Sequence, residues 1–298
     1  MPSLLIIVSI ATLAAAAAQS GPTSNAQHPM LLLWQKGNPG NWTRPDKESS
    51  EKSADSDLLL VKNVSTPTLE IFKSKSAKPG APTVMICPGG GYFIEAIEHE
   101  GWEIATRLNL AGIHAAVLKY RLPNRDTNKP QEMDKPLHKV VLQDTQRALR
   151  ILRARAKEFG FTPDKIGILG FSAGGHAAAV TSTAAEASYP PIDDTDSQSC
   201  KPDFTVLIYP AYLNVENTMN LVDAIKVTNS TPPAFVVQAM DDPIPIEGAL
   251  AYTHACHIAK VPIELHLFPK GGHGYGLRTH EPGLKTWPDL LISWLERM

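Results

Sequence analysis

The sequence contains little cysteine: its 298 residues include three, Cys87, Cys200 and Cys256. Three widely separated cysteines cannot form a disulfide framework, and their spacing is not that of a zinc site. At most one pair could be oxidised, which would leave one free thiol. The sequence therefore indicates neither a small disulfide-stabilised domain nor a metal centre.

An excess of charge of one sign is also missing. The chain has 28 Lys and Arg against 30 Asp and Glu, a formal net charge of -2, and no basic block. Binding to nucleic acid requires concentrated positive charge, so nucleic acid is not an expected partner. No internal repeat is visible, and nothing suggests the paired carboxylates of a glycosidase.

The N-terminus is predominantly apolar. Residues 1–18 carry no charged side chain and end in a run of small residues. This length and position are typical of a secretory signal peptide cleaved near Ala18 or Gln19, with a membrane anchor as the alternative. No cysteine follows the run, so a lipoprotein anchor is not indicated. We expect a secreted or periplasmic protein without stable membrane association after cleavage.

The rest of the chain divides into a polar segment and one long domain. Residues 19–56 are rich in Pro, Gly, Asn and Ser and predict an irregular N-terminal arm. Residues 57–298 alternate between short apolar runs and helical patterns, which predicts a single α/β domain. We expect a mostly parallel eight-stranded sheet with helices on both faces. Its strands are predicted at 58–61, 68–72, 83–86, 114–118, 165–169, 204–208, 234–238 and 263–268.

A long helix is predicted over residues 138–159. Apolar residues recur along it at steps of three and four, so one face is expected to pack on the sheet. The other positions carry Arg147, Arg150, Arg153 and Arg155. We interpret this second face as basic and solvated rather than as a ligand site.

The clearest chemical signal is the sequence GFSAG at residues 170–174. It follows an apolar strand pattern and precedes small helix-forming residues. A Gly-x-Ser-x-Gly between a strand and a helix is the nucleophile elbow, where a strained turn exposes the serine hydroxyl at a helix N-terminus. A chance Gly-Ser-rich turn is the alternative, and the strand-to-helix setting argues against it. Ser172 is therefore the candidate nucleophile.

An activated serine requires a base and a group that orients the base. His273 lies in the glycine-rich loop GGHGYG, directly after the last predicted strand, and is the candidate base. Asp242 follows the strand predicted at 234–238, has the Asp-Pro-aliphatic pattern, and is the candidate acid. The neighbouring Asp241 satisfies another common spacing and is the alternative acid.

Donors for a developing oxyanion are predicted at two places. The N–H of Ala173 follows the nucleophile, whereas Gly90 and Gly91 lie in a glycine cluster after the strand at 83–86. Consecutive glycines leave backbone N–H groups uncovered, and one such donor typically lowers the barrier by ~3 kcal/mol. A phosphate-binding loop is the alternative, but no Lys-Ser or Lys-Thr follows the glycines.

Five blocks together resemble the α/β-hydrolase esterases of the acetyl esterase and acetylxylan esterase type, some of which are labelled xylanases. The blocks are CPGGGY at 87–92, HEG at 99–101, KYRLP at 119–123, GFSAGGH at 170–176 and GGHGYGL at 271–277. The resemblance spans about residues 57–298 and implies an α/β-hydrolase fold. It also implies a secreted serine carboxylesterase without a cofactor, acting on O-acyl groups of carbohydrates. Two departures are Pro88, where lipases have the His of HGGG, and an acid loop one residue short.

The substrate is expected to be a short acyl ester, such as an acetyl ester, of a carbohydrate such as xylan. Only residues 209–233 separate two predicted strands, which leaves no room for a large lid. Tyr92 and Tyr275 are candidates for an aromatic wall beside a sugar ring, or they pack against the loops; His99 is a candidate pocket residue. A feruloyl esterase or a peptidase on the same scaffold is the alternative. A non-catalytic binding protein usually loses a triad member, and none is lost here.

Overall fold

The computed structural model describes residues 28–53, 58–125 and 134–298. The predicted signal peptide at 1–18 lies outside these residues, as does the first part of the predicted arm, 19–27. The strands are β1 (Met30–Leu32), β2 (Ser49–Lys52), β3 (Leu59–Lys62), β4 (Thr68–Phe72), β5 (Thr83–Cys87), β6 (Ile94–Glu95), β7 (His114–Lys119), β8 (Ile166–Phe171), β9 (Thr205–Ile208), β10 (Ala234–Ala239) and β11 (Ile263–Phe268).

The helices lie between these strands much as the sequence pattern predicts. They are α1 (Glu103–Leu110), α2 (Lys139–Ala154), α3 (Ala156–Phe159), α4 (Ala173–Thr183), α5 (Glu247–Ile258) and α6 (Trp287–Leu295). A π-helical turn, Glu98–Trp102, leads into α1. The helix predicted at 138–159 is interrupted at Arg155 and so becomes α2 and α3. Among the helices described, none combines the length and apolar character needed to cross a membrane.

Eight strands form one sheet in the order β1-β4-β7-β5-β8-β9-β10-β11. The pairings from β7 through β11 are parallel, whereas β1 and β4 pair antiparallel at one edge. The central strands β5, β8, β9 and β10 are buried along their whole length. Because successive side chains of a strand point to opposite faces, both faces of the sheet are covered. The predicted α/β-hydrolase fold is confirmed.

The N-terminal arm is more regular than its composition predicts. β1 extends the edge of the main sheet, and Leu33 directly after it is fully buried in the core. β2 pairs with β3, and β3 with β6, in a separate three-stranded sheet. The predicted strand at 58–61 therefore exists as β3 but lies outside the main sheet. Because β2 and β3 pair with each other, the predicted boundary at residue 57 does not separate the arm from the domain. Strands of three or four residues are too short to show a clear alternation.

The arginines of α2 do not form the solvated face that the helical pattern predicts. Arg147 and Arg150 are only 4% and 7% exposed. Arg147 pairs with Asp193 and Asp196, and Arg150 pairs with Asp196. Asp196 belongs to a short 3-10 turn, Asp194–Ser197, that Asp193 caps and that packs over the helix. The helical period identifies the second face correctly, but it does not reveal that a distant segment covers it.

Candidate active site

The parallel strands bring five separate segments to one edge of the sheet. The register pairs Cys87 with Gly170, Phe171 with Ile208, and Ala239 with Phe268, so these strands end side by side. The segments that follow are the glycine cluster, the serine elbow, the β9 loop, the acid loop and the histidine loop. Ligands of open α/β sheets bind at this carboxyl edge. The segment between β9 and β10, residues 209–233, contains no helix and only one bridge, Asn214 to Leu221.

Ser172 occupies the sharp turn between β8 and α4. Its backbone lies at φ 49° and ψ -116°, a conformation that costs a non-glycine residue free energy and is typical of functional sites. A Cβ on Gly170 would lie 2.0 Å from the carbonyl oxygen of Gly174, and one on Gly174 would lie 2.1 Å from that of Cys87. Only glycine permits this close passage of strand, helix and the neighbouring strand end, so the two glycines hold the elbow in place.

The candidate base contacts the candidate nucleophile directly. His273 Nε2 lies 2.8 Å from Ser172 Oγ, within hydrogen-bonding distance. The loop that carries His273 turns back over the strand ends, with Gly272, Gly274 and Gly276 at φ 63°, 71° and 48°. These left-handed conformations favour glycine, which explains why the sequence concentrates it here.

The structure separates the two candidate acids. The Asp242 carboxylate lies 2.9 and 3.0 Å from His273 Nδ1, and its side chain is 0% exposed. Its Oδ1 also accepts the N–H of Ile244 at 2.7 Å, which fixes its orientation. Asp241 instead accepts the N–H of Gly272 at 2.8 Å and so ties the acid loop to the histidine loop. Asp242 holds the imidazole, and Asp241 holds the loop.

The glycine cluster lies against the candidate nucleophile. A Cβ on Gly89 would be 2.9 Å from Ser172 Cβ, and one on Gly90 would be 2.2 Å from the Ile94 carbonyl oxygen. The N–H of Gly89 is already used, because it donates to Glu100 Oε2 at 2.6 Å. Within the described residues the N–H groups of Gly90, Gly91 and Ala173 donate to no protein acceptor. They remain available for a substrate oxyanion.

A buried network that the sequence did not reveal lies beneath these groups. We call Glu100 and Tyr209, with the backbone groups they bind, the floor of the site. Glu100 is 3% exposed, and its Oε1 accepts the Tyr209 hydroxyl at 2.8 Å. That hydroxyl in turn accepts the N–H of Gly276 at 3.0 Å. Burial, reinforced by the Glu100 charge, raises the pKa of Tyr209 well above its ordinary value. The floor thus links the glycine cluster to the histidine loop.

The Tyr209 ring also touches the base itself. The ring centroids of Tyr209 and His273 lie 4.9 Å apart at an interplanar angle of 61°, an edge-to-face arrangement. No sequence signal indicates this contact, since the partners come from different loops. Glu100 belongs to the HEG block of the resemblance, but nothing in its own neighbourhood predicts that it meets Tyr209.

Tyr92 and Tyr275 are not a wall for a sugar ring. Tyr92 is 1% exposed, and its hydroxyl lies 2.8 Å from Nδ1 of His176 in α4. Tyr275 is 6% exposed and packs edge-on against Tyr209, with centroids 4.4 Å apart. Burial raises the pKa of both phenols. Of the two alternatives left by the sequence, packing against the loops is the one that the structure shows.

His99 likewise does not line an open pocket. It is 6% exposed and lies behind the histidine loop, where its Cδ2 would be 3.1 Å from a Cβ on Gly276. His176 is buried as well, and burial, with the nearby His138 charge, lowers its pKa to about 3. Both imidazoles therefore belong to the packing around the site. Across the described ranges, no group of three His, Cys, Asp or Glu side chains is arranged to hold a metal ion.

The sequence matches the BD-FAE family over residues 69–206. It is also similar to the acetylxylan esterase of Xylanibacter ruminicola, with 30% identity over 226 residues. The matched region covers 67% of this chain and 42% of that protein, so the chain spans less than half of the relative's length.

Two solved structures are similar over most of the chain. One is the acetyl ester-xyloside bifunctional hydrolase from Caldicellulosiruptor lactoaceticus, with a TM-score of 0.70 and 30% identity over 90% of this chain and 96% of that chain. The other is MGS-M1, an alpha/beta hydrolase enzyme from a Medee basin deep-sea metagenome library. Its TM-score is 0.60 and its identity 28%, over 84% of this chain and 97% of that one.

Proposed function

We propose a function for this chain, which belongs to the α/β-hydrolase esterases of the acetyl esterase and acetylxylan esterase type. The protein is a secreted serine carboxylesterase. Its substrates are short O-acyl esters, above all acetyl esters, of carbohydrates. One observation carries the proposal: an unbroken chain of hydrogen bonds from Asp242 through His273 to Ser172 ends beside free backbone N–H groups.

In the first half of the reaction, Ser172 Oγ attacks the ester carbonyl carbon and His273 Nε2 takes the hydroxyl proton. The Asp242 carboxylate accepts the Nδ1–H, which selects the tautomer whose Nε2 is free to act as base, and it stabilises the imidazolium. The carbonyl oxygen becomes an oxyanion that the N–H groups of Gly90, Gly91 and Ala173 stabilise. His273 then donates the proton to the leaving sugar oxygen, and an acyl-enzyme remains.

In the second half, water replaces the sugar. His273 removes a proton from the water, whose oxygen attacks the acyl carbon on Ser172. The second tetrahedral intermediate collapses, the proton passes to Ser172 Oγ, and the carboxylic acid leaves. Both halves are acyl transfers in which His273 carries every proton.

The short acyl group and the sugar alcohol are supported by independent observations. The segment between β9 and β10 has no helix to form a lid or an apolar tunnel over the site. The relatives' names point to acetyl esters and xylan. The apolar leader at residues 1–18 supports export, which would bring the enzyme to polymeric substrates.

A substrate panel tests the proposal. We expect kcat/KM on nitrophenyl esters to fall steeply from acetate to octanoate, and acetate to be released from acetylated xylan. Ser172→Ala is the control for background hydrolysis in each assay. A preference for octanoate would indicate a lipase-like pocket instead, and faster release of ferulate than of acetate would favour a feruloyl esterase.

A further inference from the structure

Two exposed aromatic rings stand beside the glycine cluster and have no role in the mechanism above. Phe93 and Tyr212 are each 41% exposed, and they are the only aromatic residues among the exposed large hydrophobic side chains of the described ranges. Phe93 follows the oxyanion glycines, and Tyr212 lies in the loop after β9. Exposed apolar surface at the mouth of a site is a common mark of ligand contact.

Arg125 joins the two rings. Its guanidinium carbon lies 4.1 Å from the Phe93 ring centroid and 5.9 Å from that of Tyr212. Its Nη1 donates to the Gly91 carbonyl oxygen and lies 3.4 Å from the Tyr212 hydroxyl. A guanidinium over an aromatic face is held in a fixed plane and keeps further N–H donors for a ligand. We call Phe93, Arg125 and Tyr212 the rim cluster.

The rim cluster is held at a fixed place relative to the nucleophile. The residue before Tyr212, Ala211, donates its N–H to the Ser172 carbonyl oxygen at 3.0 Å. The Tyr212 hydroxyl would lie 3.6 Å from a Cβ on Gly91, so it stands over the oxyanion loop. The buried Tyr92 ring lies nearly parallel to the Tyr212 ring, at 20° with 6.2 Å between centroids. The rim cluster therefore borders the oxyanion loop and is tied through Ala211 to the backbone of Ser172.

We infer that the rim cluster is a subsite for the sugar ring of the alcohol part of the ester. A pyranose presents C–H groups on its faces and hydroxyls around its edge. Aromatic faces, which carry partial negative charge, contact the C–H groups, while the guanidinium and the phenol exchange hydrogen bonds with the hydroxyls. An acetyl group has no ring face lined with C–H groups and no hydroxyls, so the rim selects the alcohol. This inference rests on the proposed function and assigns its alcohol specificity to named residues.

Tyr212→Ala and Phe93→Ala test the subsite through a ratio of two substrates. The measured quantity is kcat/KM on an acetylated xylo-oligosaccharide divided by kcat/KM on nitrophenyl acetate. We expect each variant to lower this ratio by about tenfold or more, mainly through a higher KM on the saccharide. Tyr212→Phe, which keeps the ring, should lower it much less. Val215→Ala, at an exposed apolar residue of the same loop, should leave it unchanged.

A binding assay separates failure of the subsite from failure of the proposed function. Unacetylated xylo-oligosaccharide should inhibit hydrolysis of nitrophenyl acetate competitively, with an inhibition constant that rises about tenfold in Tyr212→Ala. An unchanged ratio and an unchanged inhibition constant in both alanine variants would overturn the subsite while leaving the esterase in place. A wild-type enzyme that hydrolyses nitrophenyl acetate but neither cleaves nor binds the saccharide would overturn both.

Discussion

Tyr209 and Tyr212 lie in the same loop after β9, both with positive φ angles of 38° and 59°, yet the protein uses them in opposite ways. Tyr209 is fully buried, and its hydroxyl binds both Glu100 and the N–H of Gly276. Tyr212 is 41% exposed beside Arg125 at the mouth of the site. The first belongs to the floor, and the second belongs to the rim.

Under the proposed function, one loop serves both the reaction rate and the selection of the substrate. Floor groups are enclosed and fully hydrogen-bonded, so they fix the glycine cluster and the histidine loop relative to each other. Such positioning acts on the chemical step, because small displacements of reacting groups reduce the rate strongly. Rim groups face solvent and are available to bind part of the substrate that does not react. Changes in the floor should therefore act mainly on kcat, and changes in the rim mainly on KM.

The largest effect is expected at the carboxylate that orients the base, next to the floor. Asp242→Asn should lower kcat by about three to four orders of magnitude, because an amide favours the wrong imidazole tautomer. Asp241→Asn is the matched control, since it removes a neighbouring carboxylate that binds only the Gly272 N–H, and its effect should be far milder. Steady-state kinetics on nitrophenyl acetate compare the two. The reverse ranking would assign the orienting role to Asp241.

A smaller loss is expected in the floor itself. Glu100→Gln keeps the shape but replaces one acceptor oxygen by a donor, so it cannot accept from both the Gly89 N–H and the Tyr209 hydroxyl. We expect kcat to fall by about 10- to 100-fold while KM changes little. Glu103→Gln, at a partly exposed carboxylate paired with Arg278, serves as the control. An effect on KM alone, or equal effects of both variants, would contradict the floor's role.

An effect on stability alone, and not on activity, is expected at His176 in α4. His176 has a folded pKa of about 3 against an ordinary 6.5, so below pH 6.5 the unfolded chain binds a proton that the folded chain does not. The free energy of unfolding therefore decreases as the pH falls from 6.5 towards 3. At pH 5 the decrease is on the order of 2 kcal/mol. His176→Gln should show a smaller decrease in the free energy of unfolding between pH 8 and pH 5.

Denaturant unfolding of both proteins at the two pH values measures this difference. The rim variant Tyr212→Phe is the control, because it alters a tyrosine near the mouth and leaves the buried imidazole in place. We expect it to follow the wild-type pH dependence. If His176→Gln and the wild type lose the same free energy between pH 8 and pH 5, the imidazole is not held neutral by burial.

The sheet and the serine and histidine positions follow from local patterns in the sequence. The central strands β5, β8, β9 and β10 are mostly apolar runs. Parallel pairing brings the loops after them to one edge whatever the sequences of those loops. Ser172 and His273 each sit in a glycine-rich turn directly after a strand, so their meeting is expected from topology. Asp241 and Asp242 share one loop, and only the backbone path decides which carboxylate faces the imidazole.

The remaining features depend on contacts between distant segments. Tyr92 and Tyr275 are adjacent in sequence to catalytic loops, but adjacency does not determine whether a side chain points outward or inward. Glu100 meets Tyr209 across the sheet edge, and Arg147 meets Asp193 through a covering turn. These pairs have no common sequence pattern. The edge strand β1 was not predicted for a different reason: three residues are too few to show an alternation of apolar and polar side chains.

The most direct test of the central claim, that Ser172 is the nucleophile of an ester hydrolase, is covalent labelling with a nitrophenyl organophosphate. Peptide mass spectrometry then locates the adduct. We predict stoichiometric labelling of the wild type on the peptide that contains Ser172, loss of esterase activity in step with labelling, and no adduct in Ser172→Ala. Labelling of Ser172→Ala at the wild-type rate, or an adduct on another side chain that accompanies inactivation, would contradict the account.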